Sequence, residues 1–187
     1  MTPAPRPLAL RSREGTAWLG MVVFLGSWAM MFAALFFAAG VVRSRLPEWP
    51  PAGSPDVSRL LPAWNTLVLG ASSAGLQRAL SRARAGKSWR SGLIGSVGLG
   101  VVFVGLQAVF FTELIRAGLR WEDGVLAGVI YGLTGFHALH VLVGLVGRAT
   151  VAAGAAARPL LSLRLWTMYW HFVGVVWISL CVVVFTW

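Results

Sequence analysis

Long, nearly uncharged apolar runs constrain this chain more than any other feature, because a run of about 18 or more such residues is typical of a membrane-crossing helix. Five such runs follow one another along the sequence. They predict helices over residues of about 18–42, 60–77, 91–114, 124–147 and 165–187. The second run is the least apolar, since it contains Asn65, Thr66, Ser72 and Ser73. The sequence therefore predicts an all-α integral membrane protein, with a single five-helix bundle over 18–187 and a short segment, 1–17, before it.

The charged residues agree with this interpretation. Only 12% of the residues are charged and 57% are hydrophobic, whereas a soluble domain has about twice that charged fraction, so a soluble enzyme is excluded. The 16 Lys and Arg outnumber the 6 Asp and Glu, which in a soluble protein would suggest nucleic-acid binding. Because basic residues collect in the cytoplasmic loops of membrane proteins, topology explains this excess, and no nucleic-acid partner is expected.

The positions of the basic residues predict an orientation. Eleven of the sixteen fall on one side of the five-helix arrangement: Arg6, Arg11, Arg13, Arg78, Arg82, Arg84, Lys87, Arg90, Arg148, Arg158 and Arg164. The positive-inside rule then places segment 1–17 in the cytoplasm and the C-terminus outside. The single cysteine, Cys181, excludes an internal disulfide and any metal site built from several cysteines.

Three histidines are the first candidate functional residues. An α-helix rises about 1.5 Å per residue, so distances from the helix ends place His137, His140 and His171, with Ser72 and Ser73, at a similar depth in the cytoplasmic half of the membrane. His137 and His140 are three residues apart and project from nearly the same helix face. Two hypotheses stay open: histidines hydrogen-bonded inside the bundle, or a haem or metal site, for which only His171 could supply the opposing ligand. The lack of acids at that depth disfavours the second hypothesis.

Glu113 is the only acid inside or bordering an apolar run, and an ionisable residue at membrane depth is a functional candidate. It ends the third predicted helix near the outer surface, so proton transfer and simple interfacial placement both stay open. No pair of carboxylates lies within the predicted helices. The chain therefore lacks the pair of membrane-embedded carboxylates that is usual in a proton-coupled transporter.

The glycines in the helices predict packing. Gly128, Gly132 and Gly135 have the small-xxx-small spacing that favours close helix contact. Gly98 and Gly100 lie inside an apolar run with no flanking strand, so they do not form a nucleotide-binding fingerprint.

Two motifs carry a resemblance to a known family. Residues 135–141, which read G-F-H-A-L-H-V, resemble the G-F-H-G-L-H-V motif of subunit III of the haem-copper oxidases. Residues 169–177 resemble that family's terminal Y-W-H-F-V-D-x-V-W motif. Weaker matches lie at residues 65–66, at residues 72–73 and from residue 106 to Glu113, which is similar to L-Q-A-x-E-x-x-E. The resemblance covers about 18–187 and fits the short, five-helix bacterial form.

The chain departs from the family at three commonly acidic positions, which hold Trp28, Phe110 and Gly174. By depth, Trp28 and Gly174 belong with the histidines, and we expect Trp28 to fill space that an acid and its partners occupy in relatives. The expected structural or lipid-cleft layer consists of His137, His140, His171, Ser72, Ser73, Trp28 and Gly174. Glu113 and Gln107 are expected at the membrane border.

The resemblance implies an accessory subunit with no catalytic, cofactor-binding or metal-ligating residues of its own. Haem and copper are expected in partner subunits, and a structural phospholipid is expected on this chain. The chain is expected to dock on the catalytic subunit I and to support its stability and proton uptake. The bacterial form implies a multi-pass protein of the cytoplasmic membrane.

Other functions stay open. The missing acids leave room for a subunit-III-like accessory protein of a nitric oxide reductase and for subunit III of a quinol oxidase, which share the fold. A different class is an independent membrane haem protein or transporter. Such a protein would show a haem absorption band, or move a solute, when purified alone.

Overall fold

A computed structural model describes residues 8–51, 60–122 and 124–185, and the regular structure of these residues is entirely helical. The five helices are α1 (Leu8–Ser44), α2 (Leu60–Arg84), α3 (Arg90–Arg116), α4 (Val125–Ala152) and α5 (Pro159–Phe185). The prediction of an all-α fold with five helices is confirmed for this part of the chain. The start of segment 1–17 and the last two residues of the predicted fifth helix lie outside the described residues.

Composition supports a membrane span for four of these helices. Among the described residues, α1, α3, α4 and α5 are long and apolar enough to cross a bilayer. α2 is long enough but more polar, since it carries the four polar residues that weaken its run and ends in a segment with Arg78, Arg82 and Arg84. It nevertheless packs between α3 and α5. The prediction of a multi-pass membrane protein is thus confirmed, with four spans supported by composition.

Every helix extends beyond its apolar run at one end or both. α1 begins at Leu8 rather than near 18, α2 continues to Arg84, and α4 continues to Ala152. Polar residues can continue a helix into the headgroup region, so the apolar run marks the membrane crossing and not the helix ends. Glycines with positive φ follow the ends of α2, α3 and α4, Gly86 at 68°, Gly118 at 89° and Gly154 at 81°, a conformation that favours glycine.

Consecutive helices alternate in direction because short loops join most of them. The starts of α1, α3 and α5 and the ends of α2 and α4 therefore lie at the same end of the bundle. We call this the Arg-rich end, because Arg84, Arg90, Arg158 and Arg164 lie there.

Helices α2, α3, α4 and α5 close into a ring, in which each helix packs on its two neighbours. α1 lies outside this ring, mainly against α5 and with a smaller contact on α4. Among its described side chains, α1 buries only the hydrophobic residues Phe32 and Ala39. The ring holds the core, where Phe103 and Trp170 are fully buried. The bundle is therefore a four-helix ring with one peripheral helix.

The close approach of α4 to α5 depends on two glycines. A Cβ added at Gly144 would meet the rings of Tyr169 and Trp170 at 3.0 Å, and one added at Gly147 would overlap the ring of Trp166. The large aromatic side chains of α5 therefore lie directly on the α4 backbone.

The close contact predicted at Gly128, Gly132 and Gly135 is wrong. No atom of another residue comes within 4 Å of a Cβ added at any of these positions. The aromatic residues of α5 face α4 near the Arg-rich end, so the small residues are needed there. At the opposite end α1 is too far from α4 to use them.

We predict that Gly147→Ala destabilises the protein by about 1–3 kcal/mol, because its new methyl group must displace the ring of Trp166. Gly135→Ala, on the same helix in open space, is the matched control and should change stability little or raise it. Unfolding of the purified protein in mixed micelles measures both. Equal losses for the two variants would contradict the packing of α5 on α4.

Candidate functional site

The three histidines and Arg148 lie in four separate groups of contacts. Their members are, in turn, His171 with Ser73 and Gln77; His140 with Trp28 and Phe32; His137 with Phe103 and Trp177; and Arg148 with Ser72, Ser96 and Trp170.

The first group joins α5 to α2 on the outside of the ring. The Nδ1 atom of His171 lies 2.7 Å from the Ser73 hydroxyl, and its Nε2 atom lies 3.2 Å from Oε1 of Gln77. His171 and Gln77 are exposed, and Ser73 is half-buried. The structure therefore brings together two of the residues expected in a common layer, His171 and Ser73, and adds Gln77.

The second group lies between α4 and the peripheral helix α1. The Nδ1 atom of His140 is 2.8 Å from the carbonyl oxygen of Phe136 in its own helix. The Trp28 indole meets the His140 ring edge-on, with ring centroids 4.2 Å apart, and Phe32 lies 5.1 Å away. Trp28 thus lies beside one of the histidines with which it was grouped from the sequence.

Gly174 stands on α5 in a half-buried position, and no atom lies within 4 Å of a Cβ added there. Phe110, the third position where the family commonly has an acid, is 2% exposed inside the ring. A carboxylate at Phe110 would be removed from water, so the aromatic residue suits its surroundings.

The third group lies in the centre of the ring. His137 is 1% exposed, its ring is 5.3 Å from that of Trp177 and 6.2 Å from that of Phe103, and neither of its nitrogens has a hydrogen-bond partner among the described residues. Gln107 is buried nearby on α3 and accepts a hydrogen bond of 3.1 Å from the Asn65 amide. This bond ties α2 to α3.

Gln107 and Glu113 therefore have different surroundings, although the sequence placed both at the membrane border. Gln107 is 3% exposed inside the ring. Glu113 is exposed near the end of α3 that lies away from the Arg-rich end.

The fourth group has Arg148 at its centre, a residue that directly follows the fourth predicted helix. The sequence counted it with the loop residues but left open that the small residues 149–157 extend that helix. α4 does continue to Ala152, and the Arg148 side chain is 0% exposed. Arg148 is thus a buried cation of the bundle, and it does not belong with the loop residues that indicate the orientation of the chain.

The guanidinium of Arg148 contacts all four helices of the ring. Its Nη1 donates to the Ser96 hydroxyl at 2.8 Å and lies 3.4 Å from that of Ser72, and its Nε donates to the Gly144 carbonyl at 3.2 Å. Its Cζ lies 3.3 Å from the centre of the Trp170 ring, a cation–π contact. Among the described residues no carboxylate is a partner of this charge.

Two further features shape the surroundings of Arg148. Ser72 and Ser96 each donate to the backbone carbonyl of the other at 2.8 Å, so the two hydroxyls face the guanidinium as acceptors. Gly100 leaves the space for its Nη2 atom, which would lie 2.8 Å from a Cβ at that position. The glycine assigned to packing from the sequence therefore makes room for a buried charge.

A groove separates α1 from α4 in the half of the bundle away from the Arg-rich end. Its volume is about 470 Å³, and its lining is almost wholly apolar: Met31, Leu35, Ala38, Ala39, Val42, Val125, Gly128, Val129, Gly132, Leu133 and Phe136. Phe136 also contacts Trp28, with ring centroids 6.0 Å apart. The pair of Trp28 and His140 therefore lies next to one end of the groove.

The candidate bis-histidine pair is not brought together as two opposed ligands. The His171 ring is engaged with α2, whereas the His140 ring is packed against α1. Within residues 8–51, 60–122 and 124–185, no group of three His, Cys, Asp or Glu side chains is arranged to hold a metal ion.

Sequence comparisons agree with the motifs. The sequence model of a family described as cytochrome c oxidase subunit III matches residues 11–187. The chain is 32% identical over 176 residues to cytochrome c oxidase subunit 3 of Synechocystis sp., covering 89% of this chain and 73% of that protein. It is also 32% identical to cytochrome c oxidase subunit 3 of Thermostichus vulcanus, with 87% and 83% covered. The same identity holds for a probable cytochrome c oxidase subunit 3 of Mycobacterium leprae, with 93% and 89% covered.

We predict that Ser96→Ala destabilises the protein by about 1–3 kcal/mol, because it removes the shortest hydrogen bond to a buried charge. In an Arg148→Met background, where no charge needs that acceptor, the same change should cost less. Ser179→Ala is the control, since the Ser179 hydroxyl bonds only to Val175 of its own helix and its effect should add independently. Unfolding free energies in mixed micelles measure the cycle. Equal costs of Ser96→Ala in both backgrounds would contradict the coupling.

Proposed function

The chain belongs to the cytochrome c oxidase subunit III family, and on that premise we propose that it is the accessory, non-redox subunit III of a haem-copper terminal oxidase. In this role it docks on the catalytic subunit, which carries the haem and copper, and supports that subunit's stability and proton uptake. The observation that carries the proposal is the match over 11–187, which includes both histidine motifs.

The surroundings of the histidines support a structural role. Both ring nitrogens of His171 face hydrogen-bonding groups of α2. His140 is held by its own helix and by Trp28. His137 lies among aromatic rings in the core. The motifs therefore tie the peripheral helix and the ring into one body that can hold a partner subunit in position.

We further propose the orientation that the basic residues predict. The Arg-rich end faces the cytoplasm of a bacterium, the N-terminus lies inside, and the C-terminus lies outside. α2 crosses the bilayer as the fifth span, because its polar side chains meet acceptors and donors on α3 and α5. Such pairing lowers the cost of polar groups in a membrane.

A bound phospholipid is the third part of the proposal. The groove between α1 and α4 runs along about 16 Å of helix, from Met31 to Val42 on α1. Its apolar lining suits an acyl chain, and the Arg43 guanidinium at its outer end stacks 5.8 Å from the Trp49 ring, at the level of a headgroup. Trp28 lies next to the inner end, where relatives commonly carry an acid.

We predict that the tagged chain, solubilised in mild detergent, co-purifies with a haem-containing partner, and that this chain purified alone has no haem absorption band. Removal of the chain should lower the complex's activity over repeated turnovers. Turnover with cytochrome c, a quinol or nitric oxide would then identify the complex. A haem absorption band from the chain alone, abolished by His140→Ala or His171→Ala, would refute the proposal and would indicate an independent haem protein.

We predict that Gly132→Leu reduces the phospholipid retained by the purified protein, because the larger side chain fills the groove between α1 and α4. Gly98→Leu is the control, since Gly98 is an exposed residue of α3 outside the groove. Native mass spectrometry after delipidation gives the number of lipids bound. Unchanged retention in Gly132→Leu would show that the groove holds no structural lipid.

A further inference from the structure

One part of the membrane-facing surface is polar. On α2 and α5, near the Arg-rich end, Gln77 and His171 are exposed and Ser73 is half-buried. We call these three residues the polar triad. By helix rise, Gln77 lies about 10 Å from Arg84, and His171 lies about 10 Å from Arg164, so the triad lies at the border of the hydrocarbon on the side of the Arg-rich end.

The hydrogen bonds of the triad have a direction when His171 is neutral. The Ser73 hydroxyl then donates to Nδ1 of His171, and the Nε2–H group of His171 donates to Oε1 of Gln77. The Gln77 carbonyl oxygen is thereby used, and its NH₂ group remains on an exposed side chain. No described residue accepts a hydrogen bond from that group. The surface therefore presents an amide donor to the membrane.

An unpaired amide donor facing lipid tails is unfavourable, because hydrocarbon offers no acceptor. Exposed hydroxyl groups elsewhere on the helices, such as those of Ser27 and Thr112, donate to a carbonyl of their own helix. The triad instead joins α2 to α5, and the NH₂ group of Gln77 has no acceptor among the described residues. This is the pattern expected where another transmembrane element supplies the acceptor.

Charge at the Arg-rich end of the same two helices points to the nature of that element. A cleft of about 680 Å³ lies there, lined by Arg84, Arg158 and Arg164 together with Glu14. Arg78, next to Gln77, is exposed. The face therefore offers donors and positive charge, and its complement carries acceptors and negative charge.

We propose that this face of α2 and α5 is the docking surface for a transmembrane helix of the partner subunit. That helix carries a side-chain oxygen, such as a carboxylate, opposite Gln77, and acidic residues opposite Arg84, Arg158 and Arg164. A phospholipid fits less well, since its phosphate would lie level with the arginines and only its acyl chains would reach the triad. The inference rests on the proposed function, which supplies the partner.

Gln77→Leu is measured both on the isolated chain and on the complex, because it removes the acceptor of His171 as well as the amide donor. The change also makes the membrane-facing surface more apolar, which offsets the lost bond, so the isolated chain should lose little stability. Partner retained after a detergent wash should fall about threefold, the loss of one interhelical hydrogen bond. Gln107→Leu, in the core, is the matched control and should destabilise the isolated chain itself. Full retention in Gln77→Leu would overturn the inference.

Photo-crosslinking then tests the face directly. A crosslinking residue at Ala74 or Val175, exposed beside the triad, should capture the haem-containing partner, whereas one at Val101 or Val146, exposed on α3 and α4, should not. Partner capture only from α3 and α4, or only lipid adducts from Ala74 and Val175, would overturn the docking surface and leave the proposed function intact. Failure of any haem protein to co-purify would instead refute the proposed function.

Discussion

The guanidinium of Arg148 is the interaction on which the four-helix ring depends. A charge in the interior of a membrane bundle must find its partners within the protein, because the surrounding hydrocarbon has none. Here the partners are two serine hydroxyls, one carbonyl and one indole face, and they come from α2, α3, α4 and α5. Gly100 and Gly144 are part of the same arrangement, since a side chain at either would enter the space of Arg148 or Trp170. The cation therefore sets how closely the four helices approach one another near the Arg-rich end.

The peripheral position of α1 follows from the same division of polar contacts. The ring pairs some of its buried polar groups with one another, Asn65 with Gln107 and Ser72 with Ser96, and α1 contributes no side chain to those pairs. It is held instead by aromatic contacts, of which Trp28 with His140 is the closest. This arrangement leaves the apolar groove open on one side of α1. The face of α2 and α5 with the polar triad remains uncovered near the Arg-rich end. Both surfaces suit the proposed role of an accessory subunit.

Particular residues show how far sequence reasoning reached into the candidate site. Ser73 and His171, placed at a similar depth by helix rise, are in contact, because helix rise converts sequence distance into distance along neighbouring helices. Their neighbour Gln77 was missed, since it ends the second apolar run and reads as an interfacial residue. His137 and His140, predicted on nearly the same helix face, contact different neighbours: His137 packs against Trp177 in the core, and His140 packs against Trp28 of α1. Side chains three residues apart on a helix differ enough in direction for each to face a different neighbouring helix.

The sequence by itself determined the all-helical fold, the number of helices, the multi-pass membrane character and the family, because apolar runs and short motifs are local along the chain. The tertiary structure alone decided that α1 stands outside a ring of the other four and that Arg148 turns inward. It also decided that close packing occurs at Gly144 and Gly147 rather than at the glycines nearer the start of α4. Each of these depends on which helix lies next to which, and that is a property of side chains far apart in sequence. A run of apolar residues states that a helix crosses the membrane, but in lipid every face of such a helix is equally apolar, so only contacts between helices select its neighbours.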